Sequence, residues 1–267
     1  MSGTARPGSA PGSQRLEVAP GRWLQVHDEG PRSAPTLVLL HALGTDSSLW
    51  APQRAALRER RRIICIDAPG HGGSPPWSEL TLQALGESVW QVTDQLGASR
   101  VCLAGTSMGA VTALHAAGLR PQQVQRLVLC GARLVRSATQ GADLRERAGQ
   151  ALQDLAAIAE EMVGRWFPAA SSATPAMRDA VRQTLLHTSP QGYASCAAAL
   201  DSYDLSPQLQ LVQDRAWLVA GTLDGDVPEH FRMLARSFAA HLVLLDGVGH
   251  FPALERPEAL APLLTWE

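Results

Sequence analysis

The chain has 267 residues and a mass of 28.5 kDa, room for one large domain or for a domain carrying an insertion. Hydrophobic residues make up 45% and charged residues 18%, which excludes a disordered chain and a coiled coil. The balance of 23 basic against 25 acidic residues, without a basic block, excludes an electrostatic footprint for nucleic acid, and no apolar run approaches the ~20 residues of a membrane span.

The first residues, MSGTARPGSAPGSQR, lack the apolar stretch of a secretory signal. Residues 1–15 therefore read as a flexible tail, and the protein is expected in the cytoplasm. Strand-like runs follow at 23–27, 36–41, 62–67, 100–105, 125–131, 216–221 and 241–246. Several, such as Leu37 to Leu40 and Ile63 to Ile66, are apolar throughout, as expected of strands covered on both faces. Helical patterns bounded by Gly, Pro or polar caps fall at 81–96, 108–119, 229–238 and 255–264. This alternation predicts an α/β fold with a mostly parallel sheet and helices on both of its faces. Residues 134–213 are Ala-rich, helical in pattern and too long for a plain crossover. They read as a helical cap inserted into a core formed by 16–133 and 214–267.

The four cysteines, Cys65, Cys102, Cys130 and Cys196, have no C-x-x-C spacing, and three of them interrupt strand-like runs. They read as small buried hydrophobes in a reducing compartment, and no metal site is expected.

The strongest local signal is Gly105-Thr106-Ser107-Met108-Gly109, which follows one strand and opens the next helix. A sharp turn at this point leaves no room for larger side chains and would hold Ser107 exposed at the C-terminal end of the sheet. A serine hydroxyl is a poor nucleophile at neutral pH and needs a base, which in turn needs an orienting acid. Of eight histidines, His250 is the one in a loop after a late strand, where it can reach back over Ser107. His41 and His71 read as structural or pocket-lining, and His115 as packed within its helix. For the acid, Asp224 leads by position, with Asp226 and Asp246 also placed after late strands. An oxyanion hole needs two donors. The N–H of Met108 would be one, and the N–H of Leu43, in the loop after the strand at 36–41, the other.

The segments HALGTDSSLW (41–50), DAPGHGGS (67–74), GTSMGA (105–110), RLVLCGAR (126–133), AGTLDGDVP (220–228) and GHFPALERPEAL (249–260) together resemble the α/β-hydrolase superfamily. Within it the chain looks most similar to the 3-oxoadipate enol-lactonases of aromatic-compound catabolism, on Leu43 to Asp46 with Trp50, Arg126 to Cys130, Trp166 to Pro168 and Gly192 to Cys196 leading to Asp204. The chain has His41-Ala42 where those enzymes typically carry Asn-Ser, and Pro69 where they carry Arg. The resemblance implies an α/β-hydrolase fold, Ser107, Asp224 and His250 as a catalytic triad, a small lactone or ester as substrate, and no cofactor. Trp50, Trp166, Phe167 and Tyr193 would line the substrate pocket, and Arg133 would hold a substrate carboxylate. Other readings on the same fold are a carboxylesterase, a C–C bond hydrolase, an acyltransferase, or a receptor that binds a small molecule without turning it over.

Overall fold

The computed structural model describes residues 12–265. In chain order its core begins with β1 (Ser13–Ala19), β2 (Arg22–Glu29), β3 (Thr36–Leu40), α1 (Ala51–Leu57), β4 (Arg62–Ile66), α2 (Leu82–Gln95), β5 (Val101–Thr106), α3 (Met108–Leu119) and β6 (Val124–Cys130). A second stretch holds β7 (Val135–Arg136), α4 (Ala138–Ala151), α5 (Leu155–Trp166), α6 (Pro175–His187), α7 (Pro190–Ala199) and β8 (Tyr203–Asp204). The core resumes with α8 (Ser206–Val212), β9 (Ala216–Gly221), α9 (Val227–Phe238), β10 (His241–Leu245), α10 (Pro252–Glu255) and α11 (Pro257–Leu260).

Eight strands form one sheet in the order β1-β2-β4-β3-β5-β6-β9-β10. The β1/β2 and β2/β4 pairs are antiparallel and every other pair is parallel. The residues of β3, β4 and β5 are all buried, which explains their unbroken apolar sequences. Cys65, Cys102 and Cys130 lie in β4, β5 and β6, and all four cysteines are buried and unpaired. Helix α3 packs along β3, β5 and β6 and is flanked by α2 and α8. Near the chain's end, Gln53 Nε2 of α1 donates to the Ala253 carbonyl at 2.8 Å, tying α1 to α10.

The structure departs from the sequence expectations in four places. The stretch read as tail, 1–15, runs into β1, which begins at Ser13 and pairs with β2 from Ser13↔His27 onward; residues 1–11 lie outside the described residues. β1 is a sheet-edge strand with only Val18 buried, so its sequence SQRLEVA carries almost no hydrophobic signal. The single helix expected at 255–264 is instead α10, α11 and a 3₁₀ turn Ala261–Leu264. Pro257 and Pro262 each remove an N–H donor, and the residue before Pro257, Arg256, leaves helical space at φ −142° and ψ 59°. α1 has no counterpart among the expected helices; it is short and carries Pro in its first turn.

The cap is helical as read, but its neck is a two-strand ribbon in which β7 pairs antiparallel with β8, Val135↔Asp204 and Arg136↔Tyr203. The cap closes there and not at residue 213. α8 returns to the core, with Leu209 and Val212 buried and Gln208 lying against Gly118 of α3.

Candidate active site

Ser107 stands between β5 and α3 at φ 53° and ψ −114°, a left-handed conformation that costs a non-glycine residue of the order of 1–3 kcal/mol. The surrounding structure enforces it. Ser107 N–H donates to the Cys130 carbonyl at 2.8 Å, and a Cβ on Gly109 would stand 2.2 Å from the Leu40 carbonyl oxygen. The strain is thus held by β3 and β6 on either side, and it aims the Ser107 side chain into a cavity of about 350 Å³ at the C-terminal end of the sheet.

Leu43, Met108, Asp224 and His250 line the same cavity. His250 Nδ1 lies 2.9 Å from both Asp224 oxygens, and both side chains are about nine-tenths buried. A carboxylate accepts, so Nδ1 carries a proton, and in the neutral ring the lone pair is then on Nε2. Asp226 and Asp246, the other two candidates, are engaged elsewhere. Asp226 pairs with Arg133, and Asp246 accepts from the Thr222 hydroxyl at 3.2 Å. Gly131 makes the Asp–His contact possible: it sits at φ 57°, and a Cβ there would be 2.8 Å from the His250 carbonyl and 3.2 Å from an Asp224 oxygen. No hydrogen bond joins Ser107 Oγ to His250 Nε2, a contact that commonly tightens only around substrate.

Among the described residues, neither the Leu43 nor the Met108 N–H has a protein acceptor. Both amides lie in short connections: Met108 opens α3, and Leu43 lies in a turn closed by Thr45 N–H donating to the Ala42 carbonyl at 3.1 Å. Two histidines pin this turn. His41 Nδ1–H donates to the Ala42 carbonyl and Nε2 accepts from Ala68 N–H, each at 2.8 Å. His71 Nδ1–H donates to the Pro69 carbonyl and Nε2 accepts from Gly44 N–H, each at 3.0 Å. Burial, with His41 alongside, pushes the His71 pKa down to about 3. The unfolded chain takes a proton at this residue near pH 6.5, whereas the folded one resists it to about pH 3, so stability falls as pH drops through that window. Thermal melts from pH 7 to pH 4 should show this decline. In His71→Gln, which keeps an acceptor for Gly44 but cannot titrate, the slope should flatten by about one proton's worth.

The cap supplies the far wall. Trp166 stacks on His250 with planes 5° apart and centroids 6.0 Å apart, and Tyr193 from α7 lines the cavity. Two expectations are corrected. Trp50 is fully buried outside the cavity, because it ends the 3₁₀ turn Ser47–Trp50 and α1 follows directly, carrying it into the core. Phe167 is likewise core, packed on Phe251 at a centroid distance of 5.3 Å. Arg133 does line the cavity, but its guanidinium is bound to the Asp226 carboxylate, which leaves little charge for a substrate.

Sequence reasoning missed the cations that remain. Arg136 at the cap's neck, Arg147 on α4 and Arg165 on α5 all line the cavity, and none is ion-paired among the described residues. The signal was a helical stripe, Gln140, Asp143, Leu144 and Arg147, at a spacing that puts all four on one face of α4. The Tyr193 hydroxyl is buried beside Arg147. Burial raises its pKa above the usual phenol range, while Arg147 and Arg165 pull the other way. No helix among the described residues is long and apolar enough to cross a membrane.

An eight-stranded, mostly parallel sheet with a strained serine at the turn into α3 and a helical cap over it defines a class, and the comparisons agree. A model of the alpha/beta hydrolase family matches residues 37–263, and the chain belongs to this family. It is a hydrolase of ester or lactone type. The chain is 31% identical over 205 residues to 3-oxoadipate enol-lactonase 1 of Acinetobacter baylyi, a match covering 76% of this chain and 77% of that protein. The crystal structure of the enol-lactonase from Burkholderia xenovorans LB400 superposes with a TM-score of 0.84 at 31% identity, covering 93% of this chain and 97% of the other. A thermophilic esterase from Thermogutta terrifontis, solved with malate bound, superposes with a TM-score of 0.85 at 26% identity, covering 93% and 96%.

Proposed function

We propose that the protein opens an enol-lactone that carries a free carboxylate, by way of an acyl-enzyme on Ser107, with His250 as general base and Asp224 as its orienting acid. The observation that carries this reading is the Nδ1–H donated by His250 to Asp224 in the cavity that holds the strained Ser107. The proton on Nδ1 leaves Nε2 to take the proton of Ser107 Oγ as the oxygen attacks the lactone carbonyl. The tetrahedral oxyanion would be received by the N–H groups of Met108 and Leu43, each such donor contributing about 3 kcal/mol to the barrier reduction. When the ring C–O bond breaks, the leaving oxygen takes the proton back from Nε2 as an enol, which tautomerises to the ketone. Water, activated by the same Nε2, then cleaves the acyl-enzyme and returns the proton to Ser107. Base catalysis of this kind is worth about 10²–10⁴-fold.

The carboxylate end of the substrate is assigned to the cap wall, to Arg147 with the Tyr193 hydroxyl beside it. A carboxylate there could accept from the Tyr193 hydroxyl and from Arg147 together, and a hydrogen bond to a charged group is worth about 1.5–3 kcal/mol. The relatives named as enol-lactonases support the substrate class. The test is a substrate panel that sets a carboxylate-bearing enol-lactone against a neutral ester of the same acyl length. Arg147→Ala should raise KM for the charged lactone about 10–100-fold, the value of a charged hydrogen bond, and leave the neutral ester within about threefold. Equal effects on both substrates would show that Arg147 does not read the carboxylate, and turnover of neutral esters alone would replace the enol-lactone by a general carboxylesterase.

A further inference from the structure

The chemistry above uses no part of Glu255, yet this buried carboxyl sits directly behind the loop that carries His250. Glu255 ends the single turn of α10. Both of its oxygens accept from the Gly249 N–H at 3.0 Å, and Oε1 also accepts from the Phe251 N–H at 3.4 Å. The carboxyl thus grips the backbone on both sides of His250. The same oxygens reach the cap, since the Ser172 hydroxyl, from the segment between α5 and α6, donates to Oε2 at 3.4 Å.

The cap closes on this loop at two further points. The His250 N–H donates to the Trp166 carbonyl, and the Ser172 N–H donates to the Gly247 carbonyl, each at 2.8 Å. Gly249 lets the three parts meet: a Cβ there would stand 2.4 Å from the Trp166 carbonyl oxygen and 3.2 Å from Glu255 Oε1. A buried carboxyl is costly unless its oxygens are satisfied, and here the satisfying donors are the two amides that flank the candidate base.

We propose that Glu255 is a positioning residue: by holding the Gly249 and Phe251 amides, and the cap through Ser172, it fixes the distance and angle of the His250 ring relative to Ser107. The proposal rests on the reading of His250 as the base. It separates the two jobs of the loop, because Asp224 sets which nitrogen of the ring carries the proton while Glu255 sets where the ring stands. A shift of about 1 Å in a catalytic group is enough to cost about 10²-fold in rate.

The test measures kcat and KM on an activated ester for Glu255→Ala and Glu255→Gln, with competent sites counted by the burst of released product. The low-field proton resonance of the His250 Nδ1–H is followed in parallel. Per competent site, Glu255→Ala should lose about 100-fold in kcat with KM within twofold, and its Nδ1–H resonance should broaden or shift. Glu255→Gln, which keeps one acceptor oxygen for both amides, should recover to within about tenfold of wild type. If the alanine variant does not fold, a five- to tenfold kcat loss in the glutamine variant at unchanged KM carries the proposal. A kcat per competent site equal to wild type in the folded alanine variant, or in the glutamine variant when the alanine variant does not fold, would overturn it, whatever the fall in Tm. Absence of a burst from the wild-type protein would instead strike at the role of Ser107 itself.

Discussion

Ser107→Ala is expected to lower kcat on any ester or lactone substrate by about 10⁵–10⁶-fold while leaving KM within a few-fold and the fold intact. The size of the effect follows from the proposed covalent route. Without Oγ no acyl-enzyme forms, and the remaining oxyanion donors give only a residual rate over the uncatalysed reaction. Stability should hold, because alanine keeps the Cβ and the backbone strain at φ 53°, and the hydroxyl that is lost makes no hydrogen bond to the protein among the described residues. Steady-state kinetics together with a thermal melt reads both sides of this expectation.

Asp224→Asn is expected to cost about 10⁴-fold in kcat with little change in KM. His250 Nδ1 is 2.9 Å from both carboxylate oxygens, so either rotamer of the carboxylate accepts its proton. The amide that replaces it offers an N–H to Nδ1 on one side, which favours the tautomer with the proton on Nε2, and that nitrogen could then no longer take a proton from Ser107. Asp226→Asn is the control: its carboxylate is bound to Arg133 and not to His250, so its kcat should stay within about threefold. Equal losses in the two variants would mean that the acid is misassigned.

The core of this fold was legible because its strands are buried on both faces. Leu37 to Leu40 and Ile63 to Ile66 have no polar residue to confuse a strand with a surface helix, and they are β3 and β4. β1 was illegible for the opposite reason. An edge strand meets water on most of its residues, so Ser13, Gln14 and Arg15 look like tail while their backbone pairs with β2. At the chain's end the apolar spacing suggested one helix, and Pro257 and Pro262 outweighed it, since a missing N–H cannot be compensated by pattern.

The chemistry-bearing loops were legible to a similar degree. Ser107, Asp224 and His250 each follow a strand, and parallel strands deliver their C-terminal loops to one end of the sheet, so chain position alone brings them to one cavity. Asp224 led Asp226 by position and by the resemblance, and the three-dimensional contacts separate them although only Gly225 stands between a partner of His250 and a partner of Arg133. The cap was the least legible part. Residues of α4 such as Gln140 and Arg147 have the spacing of an ordinary solvated face, and only the placement of α4 turns that face toward the cavity. Trp50 shows the converse error, an aromatic residue beside a functional loop that serves the core.

The central claim is that Ser107 is acylated and deacylated in every turnover. The most direct measurement is the intact mass of the protein, acid-quenched within milliseconds of mixing with an activated ester, followed by peptide mapping. The account predicts a mass increase equal to one acyl group on the peptide containing Ser107, its loss at the rate of turnover, and its absence from Ser107→Ala. Turnover at the wild-type rate without an adduct on Ser107, or an adduct that persists without product release, would contradict it.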